Sequence, residues 1–257
     1  LTNNYNLGLL LTWQGRYEEA EALFAQIRKD FPDSALPYVG AAGVYYEQGN
    51  FAGAVKQWKK AVELSPDNAD YKIRLVRTLS LLGLTDIMKS LSSDPRFETT
   101  ILMFEGKFDV LFEKMKFNVE AAPDDYWAKY EAGWSHAMFG DRELAAKLLV
   151  DGQDTLSELD KYYMPYCTPA IEIAWAYLQL AEQEQSMAII QKCAALIEDQ
   201  RNSSVSTLYL DYLDARIYAL KNDKVKALNA LDIAIDKGLR DWWTKHDPLL
   251  DNIRNEP

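Results

Sequence analysis

The chain has 257 residues, 48% of them hydrophobic and 26% charged, with only 12 Gly and 9 Pro. That is the composition of a folded protein poor in strand-and-turn punctuation, long enough to bury a core as one array or as two domains. A net charge of -11, with no Lys/Arg run longer than pairs such as Lys59-Lys60, argues against nucleic acid and anionic membrane surfaces, both of which attract clustered cations.

The predicted elements begin with a repeat. Gly15-Arg16-Tyr17 followed by Ala20, Phe24 and Pro32 recurs as Gly49-Asn50-Phe51 followed by Ala54, Trp58 and Pro66, shifted by 34 residues throughout. Upstream, Leu7-Gly8 and Leu11 shift to Ala41-Ala42 and Tyr45. The pattern describes a helical hairpin. A small residue (Gly8, Ala42) lets the first helix approach the second, and a second small residue (Ala20, Ala54) returns the contact. Gly15 and Gly49 end the first helix, and Pro32 and Pro66 stop the second. Neither hairpin covers its apolar face alone, so neighbours must stack.

In this register residues 1–34 and 35–68 resemble tetratricopeptide repeats. The resemblance implies an all-α, right-handed superhelical solenoid of antiparallel helix pairs, with about six to seven repeats, several of them degenerate. Gly83, Gly106 and Gly140 continue the skeleton, with Met88, Leu111 and Ala145 where Ala20 and Ala54 stood. Gly83 and Gly106 are only 23 residues apart, which predicts shortened helices between them, one of them starting at Asp94-Pro95. Two later pairs are placed by Ala176 with Ala188 and Ala215 with Ala227. Extra chain is expected around Asp151–Pro169 and Asp199–Val205, with a loop over Tyr162–Pro169 because each Pro disfavours helix in the residue before it. The expected organisation is helical repeats over 1–160 and further pairs with a closing segment over 161–257, read as one continuous solenoid.

The last segment runs from Ala227 through Gly238-Leu239-Arg240-Asp241-Trp242-Trp243 to Asp247-Pro248-Leu249-Leu250 and Ile253. It reads as a cap in which Trp242, Trp243, Leu249, Leu250 and Ile253 cover the end of the stack. It resembles the segment closing tetratricopeptide regions in some bacterial signalling proteins, which implies a regulatory module cut from a longer chain. Leu1 in place of Met and the charged end at Pro257 fit that expectation. No apolar run reaches the roughly 18 residues of a spanning helix, and no basic-then-apolar leader opens the chain. A soluble protein is expected, cytoplasmic in preference to periplasmic.

The sequence holds none of the common catalytic or metal-binding patterns. The two histidines, His136 and His246, lie far in sequence from both cysteines, Cys167 and Cys193. HExxH, CxxC, GxSxG and phosphate-loop patterns do not occur. His136 is expected to pack, His246 to sit in the turn before a helix start at Asp247-Pro248, and both cysteines to be buried thiols. No enzymatic activity, cofactor or metal is expected. Asp124 and Asp125 read as the acidic start of a helix.

The resemblance places the inward side of each first helix along a groove. Here that side carries Tyr5 and Trp13, then Tyr46, then Arg74 and Arg77, then Trp127, Tyr130 and Trp134, then Tyr177, and last Tyr209 and Tyr212. The family subtype that grips chaperone-tail carboxylates uses Lys and Asn in the first helix, Asn in the second pair and Lys plus Arg in the third. Tyr5 and Leu9, Gly43 and Asp70 depart from that set and only Arg74 matches it, so such tails are not the expected partner. The expected function is a protein-protein interaction scaffold holding a peptide or protein in an aromatic-rich groove, since aromatics and Arg dominate binding hot spots. The alternatives are a regulatory module of a larger signalling protein and a small-molecule-binding domain.

Overall fold

The computed structural model describes residues 2–91, 96–153, 167–203, 208–239 and 242–254. Among them are fourteen α-helices and no strand. The residues group into two compact units, one of 1–105 with 204–208 and 235–243, the other of 106–203 with 209–234 and 244–257.

The first unit holds α1 (Thr2–Trp13), α2 (Tyr17–Asp30), α3 (Leu36–Glu47), α4 (Phe51–Leu64), α5 (Ala69–Leu81), α6 (Thr85–Leu91) and α7 (Arg96–Phe104). The two repeat pairs have identical lengths, 12 and 14 residues each. Gly8, Ala20, Ala42 and Ala54 are all buried, as the register requires. Phe24 shows why small residues are needed. A methyl group on Gly8 would stand 2.5 Å from its ring, and one on Gly40 2.2 Å, so α1, α2 and α3 meet around a single phenyl. Asn50 and Asn68 start α4 and α5 by accepting the Gly53 and Tyr71 N–H groups. The shortened pair is present, with α6 of 7 residues and α7 of 9; Asp94-Pro95 lies outside the described residues.

The second unit holds α8 (Phe108–Ala121), α9 (Tyr126–Phe139), α10 (Arg142–Asp151), α11 (Thr168–Gln179), α12 (Gln183–Asn202), and most of α13 (Leu208–Leu220) and α14 (Lys224–Asp236). Asp125 and Asp141 cap α9 and α10, each accepting two backbone N–H groups. Six of the seven described turns within the pairs keep one geometry, even where glycine is lost; the exception is the α9–α10 turn, where Gly140 has φ -137° and its N–H donates to His136. Gly15, Gly49, Gly83 and Gly106 have φ of 66–72°, while Ala181 (φ 60°) and Asn222 (φ 59°) hold the same left-handed conformation. Ala181 N–H donates to Leu178 and Glu182 N–H to Tyr177, as Gly15 and Arg16 donate to Thr12 and Leu11. Most of the Tyr162–Pro169 loop lies outside the described residues; α11 begins at Thr168 with Pro169 in its first turn.

Two details of the expected register are corrected. Ala188 is exposed, and the buried small residue of α12 is Ser186, followed by Ile190, Cys193 and Ile197. Ile190 and Ile197 supply the apolar bulk, so a serine serves at the close contact where an alanine was expected. The closing segment also does not act as one cap. Leu250 and Ile253 pack with Ala219, Ala227 and Ala230, whereas the Trp242 and Trp243 rings lie 4.4 and 5.4 Å from Phe104 at the end of α7. Gly238 is pressed against the α3–α4 turn, where a methyl on Gly49 would fall 1.8 Å from its carbonyl oxygen. Only glycine in both segments permits that approach.

Candidate functional site

In the first unit the first-helix face is open. A Cβ on Gly43 would have nothing within 4 Å. Tyr5 on α1 packs partly on Phe24, with ring centroids 5.8 Å apart. Burial pushes its phenol pKa up, Tyr71 adds to the rise, and the Arg74 guanidinium pulls it back, which puts Tyr5 within electrostatic reach of α5. Arg74 and Arg77 are exposed and form no ion pair among the described residues, although the Arg74 guanidinium sits 5.8 Å from the Trp58 ring centroid. Trp13 is 51% exposed, and Tyr46 is half-buried with its ring edge-on to Phe51.

In the second unit the corresponding face is filled. Arg216 of α13 is buried and donates from Nη2 to Glu172 Oε1 of α11 at 2.7 Å. Its Nε lies 3.0 Å from Asp247 Oδ2, an ion pair whose angle falls outside hydrogen-bond geometry. Tyr130 of α9 donates to Glu172 Oε2, and Tyr212 donates to Asp247 Oδ2 at 2.5 Å. The Leu249 N–H reaches Asp247 Oδ1 at 3.0 Å. Trp134 and Tyr212 flank the guanidinium, with ring centroids 5.5 and 5.6 Å from it. Burial opposes the charge on Arg216, but Asp247 and Glu172 outweigh it and raise its pKa. Burial also raises the Glu172 pKa, against the pull of Arg216, and that of Tyr130, where Glu172 adds to the rise. One cation between two carboxylates, each accepting from a phenol, ties α9, α11, α13 and the closing segment together.

The remaining expected contacts divide. Trp127 is 41% exposed and edge-on to Tyr130. Tyr177 is buried, its hydroxyl donating to Gln153 at 2.8 Å. Tyr209 is half-buried with an enclosed hydroxyl. His136 stacks on Phe112 at 4.2 Å, and burial lowers its pKa. His246 lies in a short 3-10 turn against Phe139. Both cysteines are buried. Among the described residues no group of three or more His, Cys, Asp or Glu is placed to hold a metal, and no helix is long and apolar enough to cross a membrane.

Residues 11–73 match the tetratricopeptide repeat family. That segment carries tetratricopeptide repeats. Among solved structures it is similar to the Cut9–Hcn1 hetero-tetramer of the APC/C, at 14% identity and a TM-score of 0.50 over 95% of this chain and 46% of that one. TTC0263, a thermophilic tetratricopeptide protein of Thermus thermophilus, aligns at 18% identity over 79% of this chain and 96% of its own, with a TM-score of 0.42. MamA (MSR-1) aligns at 17% identity over 78% and 97%, with a TM-score of 0.33. At these identities the first likeness shows the helical-repeat fold alone. No curated protein matches the sequence. Tetratricopeptide arrays in general are interaction scaffolds, presenting extended surfaces to protein or peptide partners.

The part of the second unit's filled face that sequence reasoning missed is Glu172 and Asp247. A Glu in the middle of an apolar helix, Ala170-Ile171-Glu172-Ile173-Ala174, was the available signal, because a charge on a buried helix demands a partner.

Proposed function

We propose that the chain is a non-catalytic scaffold that takes a segment of a partner protein along α1, α3 and α5. Apolar side chains of the segment rest on Trp13 and Tyr46, and an acidic group meets Arg74 and Arg77. The observation that carries this reading is the open space above Gly43 on α3, together with two exposed arginines on α5 that form no ion pairs among the described residues. Charge-assisted hydrogen bonds from guanidinium to carboxylate are strong and directional, and the overall acidity of the chain makes a protein partner more suitable than a nucleic acid. In the second unit Tyr130, Trp134 and Tyr212 are held by the Arg216 cluster, so their part is to keep the scaffold rigid, while Trp127 offers a further apolar contact. Selection of a random peptide library on the intact protein tests this. Peptides combining acidic with aromatic or aliphatic residues should be enriched, and Arg74→Glu with Arg77→Glu should abolish the enrichment. Selection of the same peptides by the double variant would reject the reading.

A further inference from the structure

A second concave surface lies on another part of the second unit. Helices α8, α9 and α10 enclose a groove of about 750 Å³. Its floor is apolar: Phe112, Met115 and Val119 come from α8, Ala132 from α9, and Leu144 and Leu148 from α10. His136 also faces it, flat against Phe112, with Nδ1 accepting from the Asp141 N–H at 3.4 Å. The rim is acidic. Asp109, Glu113 and Glu120 recur along one stripe of α8, and the single cation among them, Lys116, is within 3.8 Å of Glu120.

The volume alone would suit a small ligand. Two features favour something larger. Apolar surface also lies on the far side of the acidic stripe, where Val110 and Phe117, about two turns apart on α8, are 53% and 68% exposed. The charged groups stand along the α8 edge instead of converging on the floor, where a small ligand would need them. A channel walled by two helices and floored by a third accepts another helix by ridge-into-groove packing, and the acidic stripe is about 16 Å long, roughly three helical turns.

We propose that the α8–α10 groove is a second docking site, for a basic amphipathic helix of a partner protein whose apolar face covers Phe112, Val119 and Leu144 and whose Lys or Arg residues meet Asp109, Glu113 and Glu120. It is independent of the surface around Arg74. Helix-in-groove recognition of this kind takes affinity from the apolar contact and orientation from the charges.

The probe is a labelled synthetic Leu/Lys amphipathic peptide of about four helical turns, with its Leu/Glu twin and the neutral dye Nile red as comparisons. Binding is read by fluorescence anisotropy and the fold by thermal melting. The Lys peptide should bind the intact protein and lose at least about tenfold in affinity with Glu113→Lys/Glu120→Lys, and again with the uncharged change Leu144→Gln, as removal of central contacts does. Glu184→Lys/Glu198→Lys, on exposed positions of α12, alters net charge equally and should leave binding intact. All these sites are exposed or at the groove edge, so the variants should melt as the parent does. Equal loss in the two double variants would reduce the binding to diffuse attraction by an acidic protein and overturn the proposal. Tight binding of the Glu twin would do the same, as would Nile red binding with no binding of the Lys peptide, which would make the groove a small-molecule cavity.

Discussion

Arg216 and Glu172 form an ion pair at 2.7 Å with both side chains only 3% exposed, although they belong to α13 and α11 and stand 44 residues apart. Each is the other's replacement for water, and Asp247, Tyr130 and Tyr212 complete the exchange. Arg216→Met should therefore cost about 3–5 kcal/mol in chemical denaturation, because two buried carboxylates lose their cation. Adding Glu172→Met should recover part of that loss. A single variant as stable as the parent would show that the cluster is not buried as described.

Trp134 lies over the same guanidinium, and a desolvated cation-ring contact is worth about 2 kcal/mol or more. Trp134→Ala should lower the melting temperature and leave the affinity of library-selected peptides unchanged. Lost affinity in a variant that melts normally would move the binding surface onto the second unit.

Ala181 holds a left-handed conformation in the turn that Gly15 and Gly49 occupy in the regular pairs. For a residue with a Cβ that conformation costs about 1–2 kcal/mol. Ala181→Gly should raise stability by about 1 kcal/mol, as measured by denaturant titration, less the extra freedom glycine gains in the unfolded chain. A destabilised variant would contradict the assignment of this turn to the repeat.

Glu47, at the end of α3, has a buried Oε2 with no hydrogen-bond partner among the described residues, and burial raises its pKa from 4.5 to about 7. Tyr17 beside it is pushed up to about 12, by burial first and by Glu47 second. The folded chain thus holds a proton on Glu47 that the unfolded chain releases between pH 4.5 and about 7. Its contribution is intact below the lower value and is lost as pH rises through the upper one. Melting curves should show Glu47→Gln matching the parent near the lower pH, exceeding it increasingly as pH rises to about 7, and keeping a constant advantage above that. A constant difference across that range would remove Glu47 from the pH dependence.

The regular part of the fold was legible because its contacts are local. Gly8, Ala20, Ala42 and Ala54 are repeated at one spacing, and each states its role through its size. Ser186 escaped the same reading because serine is small enough for a close helix contact without resembling the alanine it replaces. Ala181 and Asn222 hid the later turns, since their hydrogen bonds reproduce the glycine turn without glycine. On the candidate surface, helical spacing located Tyr130, Trp134 and Tyr212, but it says nothing about which stripe is filled. That depends on Asp247, brought in by the closing segment, and on the pairing of Glu172 with Arg216 between helices of different pairs. Trp242 and Trp243 were read as a terminal cap for the same reason: their partner, Phe104, is remote in sequence.

The most direct test of the central proposal is the location of a bound peptide. Gly43→Cys places a thiol where nothing lies within 4 Å, and the native thiols, Cys167 and Cys193, are buried. With an environment-sensitive fluorophore on that thiol, a library-selected peptide should shift the emission in step with its binding curve. The same fluorophore on Val225→Cys, an exposed position of α14, should not respond. A peptide that binds with full affinity while the label at position 43 stays silent would contradict the proposed site.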